Sequence, residues 1–334
     1  MKAFISKNKW TLLLLIAATA LMLVLAQKTY YALIIALFGI YAIVATSLDV
    51  LFGYTGQISL GHAGLFAIGA YSSALLTIKF GVPSLLSLVL GSAITALIGA
   101  LIAIPASKLV KHFLSLLMIA FGQIIYLIIN SWTEVTGGSL GIMNIPYLNV
   151  FGFEVNSNLK GAIVIWVILA IVLLVKHRII RSRVGNAFIA IRENTVAARG
   201  LGIDVQKYKV LAFAVSAAMT GLAGGLYAFL RGFISPETFN GTQSVLFMTM
   251  LLFGGITTLA GPVIGAIVLL LFKEVFQTFS TYQGLIYALF MLLVLFFFPN
   301  GIIGLYKSGK TAVMKLLSKR AEATRNGGAE NAEN

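Results

Sequence analysis

Residues with types and spacing fit for chemistry are few in this chain. Gly304-Leu305-Tyr306-Lys307-Ser308-Gly309-Lys310-Thr311 matches the phosphate-binding pattern G-x-x-x-x-G-K-[ST]. Such a loop holds nucleotide only between a β-strand and a helix of an α/β domain, where its backbone N–H groups converge on the phosphates. Here it follows an apolar run, and only 23 residues come after Thr311, too few for a nucleotide domain. The match is read as chance, and if the chain takes part in ATP-driven work the ATPase is a separate chain. Other ionisable residues within or beside apolar runs are Asp49, His62, His112, Lys273 and Glu274. Charges placed centrally in a membrane mark proton or ion relays, and their scarcity argues against a proton-coupled carrier. His62 alone reads as a hydrogen-bonded packing residue rather than a relay. Lys273 and Glu274 are adjacent and so do not share a helix face. The chain has no H-E-x-x-H and no cluster of His with acids at metal-ligand spacing. With no cysteine, thiolate metal sites and cysteine nucleophiles are also excluded. The expectation is a non-enzyme with no metal or cofactor of its own.

The elements that must position these residues are membrane helices. Of 334 residues 59% are hydrophobic and 10% charged, against about 25% charged in soluble domains. Apolar runs long enough to cross a bilayer lie at Trp10–Ala26 and at about 30–48, 60–78, 84–104, 112–131, 161–176, 209–230, 244–259, 262–278 and 282–298. That makes about ten spans in an all-α, polytopic helical bundle, a single transmembrane domain over 1–306. Trp10–Ala26 is read as a retained helix, although Val24-Leu25-Ala26 resembles a signal-peptide cleavage site. Gly254, Gly255, Gly261 and Pro262 interrupt 244–278, which fits two short helices or a re-entrant pair. The net charge of +14 comes from bases concentrated in 176–209 and in the tail after residue 307. This is membrane topology rather than nucleic-acid binding: it sets both termini and the 176–209 loop in the cytoplasm. The tail, 307–334, is basic and then polar, and is expected to be disordered.

One polar, glycine-rich stretch interrupts the apolar pattern: Gly53-Tyr54-Thr55-Gly56-Gln57-Ile58-Ser59-Leu60-Gly61-His62-Ala63-Gly64. Irregular backbone survives at membrane depth only where protein or a water-filled cavity surrounds it. Gly53, Gly56, Gly61 and Gly64 also allow close helix approach. The stretch reads either as a gate lining a path or as a short turn before a tightly packed helix. Leu51-Phe52-Gly53 and Leu252-Phe253-Gly254 each precede a glycine-rich helix start, a weak internal similarity that chance explains equally well. In the basic loop, Ala187–Ala198 has good helix formers with Phe188 and Ile191 at helical spacing, and Gly200 and Gly202 can end that helix. It suits either docking into a partner's groove or resting on anionic headgroups.

At these motifs the sequence resembles the permease subunits of bacterial branched-chain amino acid ABC importers, the LivH/LivM type, and LivM more than LivH. The landmarks are Gly53 to Ala63, Thr136-Gly137-Gly138-Ser139, Ser182-Arg183-Val184-Gly185, Ala190-Ile191-Arg192-Glu193-Asn194 and Leu201-Gly202-Ile203. They continue with Gly221-Leu222-Ala223-Gly224, Gly254-Gly255, Gly261-Pro262-Val263-Ile264-Gly265-Ala266 and Pro299-Asn300-Gly301. The resemblance implies an ABC importer permease fold in the bacterial inner membrane. It implies a second, LivH-like permease, two cytoplasmic ABC ATPases that bind ATP and Mg, and a periplasmic amino-acid-binding protein. The coupling loop, about 177–208, would act through Arg192, Glu193, Asn194, Ala197, Ala198 and Gly202. The family pattern E-A-A-x-x-x-G meets Val196-Ala197-Ala198 and Gly202, so its glutamate is missing. Thr257 stands where the family tends to have glycine.

The expected translocation path runs past Gln57, Ser59, His62, Gln123 and Asn130. The expected gates are the helix breaks near Gly53–Gly64 and Gly254–Gly265. Alternatives left open are the same architecture carrying urea, short amides, other amino acids or sugars, and a stand-alone channel or secondary carrier.

Overall fold

A computed structural model describes residues 29–109, 111–150 and 152–276, together with Leu289 and Leu292. The expected spans Trp10–Ala26 and, apart from Leu289 and Leu292, 282–298, with the match at Gly304–Thr311 and the tail, lie outside the described residues. The long helices are α1 (Thr29–Leu48), α2 (His62–Phe80), α3 (Ser84–Ala106), α4 (Lys111–Ser131) and α5 (Asn158–Ile180). Then come the short α6 (Arg183–Glu193) and α7 (Thr195–Gly200), the long α8 (Val205–Arg231), and the shorter α9 (Gly241–Gly254) and α10 (Gly261–Val275). Among the described residues six helices are long and apolar enough to cross a membrane. They coincide with the runs expected from about 30 to 131, 161 to 176 and 209 to 230. The 244–278 region is two short helices joined by Gly255–Ala260. At 14 and 15 residues neither spans about 30 Å of hydrocarbon alone at 1.5 Å per residue.

Local chemistry sets the ends. Gly81 adopts φ +63° and closes α2. Side chains of Ser157, Ser182, Asn194, Asp204 and Asn240 accept backbone N–H bonds at the starts of α5 to α9, as N-caps do. α8 forms the centre, packed on α2 and α3, while α1 packs on α5. α8 meets α2 where Gly69 lies directly over the Gly221 backbone, so a Cβ at Gly69 would overlap it. The two ends of the bundle differ. One carries α6, α7 and the basic residues between Arg178 and Lys209. At the other, a two-stranded hairpin, β1 (Asn149–Val150) and β2 (Phe153–Glu154), follows α4. There Ile142 pairs with Ile234, which ties segments 132–160 and 232–243 together.

A buried ion pair fixes how these elements meet. α1 runs into a π-helical turn, Asp49–Gly53, which carries Asp49. Lys176 Nζ donates to Asp49 Oδ2 at 2.7 Å, and the two side chains are 1% and 0% exposed. Lys176 also donates to the Thr258 carbonyl (2.9 Å), while Asp49 Oδ1 accepts from the Thr257 N–H (2.7 Å). The pair therefore clamps α1, α5 and the α9–α10 turn. This corrects the sequence reading of Lys176, which counts it among the cytoplasmic loop charges: it belongs to α5 and is buried.

Removing one partner of a buried pair strands the other charge, so Asp49→Asn and Lys176→Met are each expected to cost about 3–5 kcal/mol. The double substitution is expected to recover much of that loss, because an uncharged pair has no ion left to strand. Thermal unfolding of the purified chain in detergent checks this; single variants as stable as wild type would exclude it. Gly69→Leu is expected to cost about 1–3 kcal/mol by overpacking. Gly241→Ala, where a Cβ meets open space, is expected to be neutral in the same assay.

Candidate functional site

The residues between α1 and α2 are irregular and buried, and the structure shows how their polar groups are satisfied. Thr55 Oγ1 donates to the Leu51 carbonyl at 2.6 Å, and Gly56 (φ +70°) turns the chain. Gln57 Nε2 donates to Thr55 Oγ1 at 2.9 Å and to the Lys209 carbonyl at 3.3 Å. Ser59 Oγ lies 2.8 Å from His62 Nδ1, and His62 Nε2 lies 2.9 Å from Ser216 Oγ. The Ser216 hydroxyl donates to the Ser47 carbonyl at 2.9 Å. Its oxygen must then accept from His62, which assigns the Nε2–H tautomer and leaves Nδ1 to accept from Ser59. Ser47 and Thr220 close the network at 2.7 Å. Ser59, His62, Ser216, Ser47 and Thr220 are fully buried. A serine–histidine contact of this kind could activate a nucleophile, but here no surface reaches it and the Ser216 proton is committed to a carbonyl. It serves as internal hydrogen bonding for a non-helical segment at membrane depth.

Gln57, Ser59 and His62 thus lie in the packed interior between α1, α2 and α8. Gln123 and Asn130 lie elsewhere, on α4, exposed and half-buried respectively. With Ser115 and Tyr126 they fall within about a quarter of the helix circumference, between the face packed through Leu114, Met118 and Ile129 and the exposed face bearing Phe113, Leu116, Ile124 and Leu127. Of the expected helix breaks, Gly53 ends the π-turn, Gly61 precedes α2 against Met118, and Gly64 meets Gly122 of α4. Gly254 ends α9, Gly255 takes φ +106°, and Gly261-Pro262 opens α10. The two breaks touch. Asp49 Oδ1 holds the Thr257 N–H, and a Cβ on Gly53 would overlap the Asp49 carboxylate. Thr257 has φ +56°, a conformation costly for a β-branched residue. A glycine would accept it without strain, and the carboxylate anchors it here.

The basic loop is not one helix over Ala187–Ala198. Asn194 is extended, ends α6, and caps α7 through Oδ1 to the N–H groups of Val196 and Ala197. Asparagine before the first helical residue is a common N-terminal helix signal, and that signal is present in the sequence. α6 buries Gly185, Ala187, Phe188 and Ile191, with the Phe188 ring edge-on to Tyr208. Ala198 is buried beside Ile191 and Val205. Glu193, Asn194, Ala197 and Gly202 are exposed, the last at φ +80°. Val196 and Leu201 are 75% and 79% exposed.

Arg192 joins this loop to the glycine-rich stretch. Its Nη1 donates to the Gly53 carbonyl at 2.7 Å, and its side chain covers Gly56. The structure thus brings together Arg192 and the Gly53 break, which the sequence leaves in separate groups. It adds Asp49 and Lys176, which sequence reasoning does not connect. The available signal is an aspartate inside one apolar run and a lysine ending another, since lone charges of opposite sign in such runs seek each other.

The family model described as branched-chain amino acid transport system / permease component matches residues 30–298. The LivM permease protein of the high-affinity branched-chain amino acid transport system of Salmonella typhimurium is 31% identical over 287 residues, covering 79% of this chain and 68% of that protein. The probable LivM of Methanocaldococcus jannaschii is 24% identical, covering 81% and 92%. The LivH permease protein of Salmonella typhimurium is 28% identical, covering 79% and 91%. No solved structure matches the chain. An integral membrane bundle with paired glycine breaks and this extent of similarity belongs to the branched-chain amino acid transport permease family.

Proposed function

We propose that this chain is the membrane-spanning subunit of an ATP-driven ABC importer that carries branched-chain amino acids inward. The observation that carries this reading is the Arg192–Gly53 hydrogen bond. It gives a short amphipathic helix outside the bundle a direct hold on an irregular backbone inside it. The basic end faces the cytoplasm of a bacterial inner membrane, consistent with positive residues remaining on that side, and both termini lie there. α6 and α7 are the coupling helices, with Glu193, Asn194, Ala197 and Gly202 on their outer surface. Val196 and Leu201 offer apolar side chains to the groove of a cytoplasmic ATPase.

ATP and Mg are bound by two such ATPases and not by this chain. A LivH-like second permease pairs with it, and a periplasmic amino-acid-binding protein delivers substrate to the joined loops near Ile142 and Ile234. The path follows the α4 stripe with Gln123 and Asn130. Gln57, Ser59 and His62 reach it only when the two glycine breaks re-pack. Closure of the ATPases shifts that equilibrium in so far as they bind its two states unequally. The pore contacts are weak, because conduction requires release as well as entry.

Val196 and Leu201 separate this reading from that of a connector resting on headgroups. Val196→Asp and Leu201→Asp change side chains that pack on little within the chain, so the unfolding temperature is expected to stay within error of wild type. ATP-driven leucine uptake by the reconstituted transporter is expected to fall about tenfold or more, as loss of a central interface anchor does. Unchanged uptake in both variants overturns the coupling assignment. Ala198→Trp is a less discriminating variant, because Ala198 is itself buried.

A further inference from the structure

On α5, Ile165, Trp166, Leu169, Val172 and Leu173 are buried, and Lys176 is the next buried residue. They recur every three or four positions, the spacing of one helix face. A lysine thus stands where the apolar stripe of α5 reaches the end of the bundle. Asp49 stands likewise at the end of α1, after Ala45 and Leu48, and all three are fully buried. A buried charge pair is seldom more stabilising than an apolar pair of similar volume, because desolvation offsets the attraction. Packing alone therefore does not account for charges at these two positions.

What the charges add is direction. Apolar surfaces can slide past one another, whereas charge-assisted hydrogen bonds hold one geometry. Lys176 Nζ reaches both glycine breaks. It donates to Asp49, which shares the π-turn with Gly53, and to the Thr258 carbonyl in the turn after Gly255. It also lies over the Tyr54 ring, 5.9 Å from its centre. Beyond Lys176, α5 is tightly joined to α6. Only Arg181 and Ser182 separate the two helices, and the Gly185 backbone of α6 lies so close to the Ile180 carbonyl that a Cβ would overlap it. α6 therefore meets the breaks by two routes. One is direct, through Arg192 to the Gly53 carbonyl. The other runs through the end of α5 and Lys176 to the α9–α10 turn.

We propose that Lys176, with Asp49 as its counter-charge, is a positioning residue for coupling. It makes α5 the second route by which movement of α6 reaches the interior, so that neither glycine break re-packs without the other. This deepens the function proposed above and rests on it for the link between α6 and an ATPase.

The test compares ATP consumed per leucine imported by the complete transporter in liposomes, for wild type and for Asp49→Asn/Lys176→Met. The asparagine Oδ1 can still accept from the Thr257 N–H, and no ion is stranded. The turn stays anchored and only the hold of α5 is lost, so an unfolding temperature close to wild type is expected. ATP consumed per leucine is expected to rise about tenfold, within the usual range of coupling between sites, as uptake falls and hydrolysis continues. A folded double variant with the wild-type ratio makes the pair merely structural and overturns the proposal. A second measurement needs no variant: hydrogen exchange of the wild-type transporter with and without ATP and Mg. Segments 49–57, 172–180 and 255–260 are expected to shift in exchange together. A shift at one break without the other, or no shift at either, overturns the proposal. The two readings fail separately. A wild-type complex that imports leucine beside a double variant of unchanged ratio leaves the function standing and refutes the role of Lys176. A wild-type complex that imports no branched-chain amino acid refutes the cargo, and the exchange pattern, which is independent of cargo, then decides the role of Lys176.

Discussion

The arrangement of this bundle depends on one constraint: Asp49 and Lys176 must not be separated in a medium that cannot solvate either. Two fully buried charges cost several kcal/mol each unless paired and hydrogen-bonded. Here every strong group has a partner. Lys176 meets a carboxylate oxygen and the Thr258 carbonyl, and the second carboxylate oxygen meets the Thr257 N–H. Satisfying all three fixes the end of α1, the end of α5 and the turn between α9 and α10 relative to one another. The π-helical turn and the glycine at 53 follow from the same demand, since the carboxylate occupies the space a Cβ at Gly53 would need.

From that clamp the rest of the interior can be understood. A chain that leaves helical geometry between Gly53 and His62 must find hydrogen-bond partners inside the protein. The Gln57, Ser59, His62 and Ser216 network supplies them, and α8 provides most of its outer wall. Polar residues there hold an irregular segment in place. Gln123 on α4, by contrast, is exposed between a packed face and an apolar face. Polarity alone therefore does not identify a path, and the position of a residue relative to the packed faces decides between the two roles.

Much of this is legible in the sequence, and what is not has a physical cause. Apolar runs give span positions directly, because length and hydropathy suffice, and glycine clusters give the breaks at Gly53–Gly64 and Gly254–Gly261. The Asp49–Lys176 pair is not legible, since its members lie 127 positions apart and a lysine at the end of an apolar run looks like a topology signal. The bend at Asn194 is obscured because helix propensity on both sides outweighs a cap signal at one residue. The weak similarity between Leu51-Phe52-Gly53 and Leu252-Phe253-Gly254 gains a structural counterpart: both triplets end a helix before an irregular segment, and the two segments meet at Asp49 and Thr257.

That meeting point bears on how a small external helix can act on a packed membrane core. Interiors at crystal-like density do not deform smoothly; they switch between discrete packings. Arg192 grips the carbonyl of Gly53, four residues from Asp49 on the same π-turn. A shift of α6 therefore loads the segment that also carries the ion pair. Because the pair resists separation, that load moves the α1 end, the α5 end and the α9–α10 turn together rather than bending any of them alone. In the proposed function, the glycines at 53, 56, 254 and 255 are where the backbone would absorb the change. A buried charge pair adjoining glycine breaks thus combines a rigid link with compliant joints, which is what transmission from one end of the bundle to its interior requires.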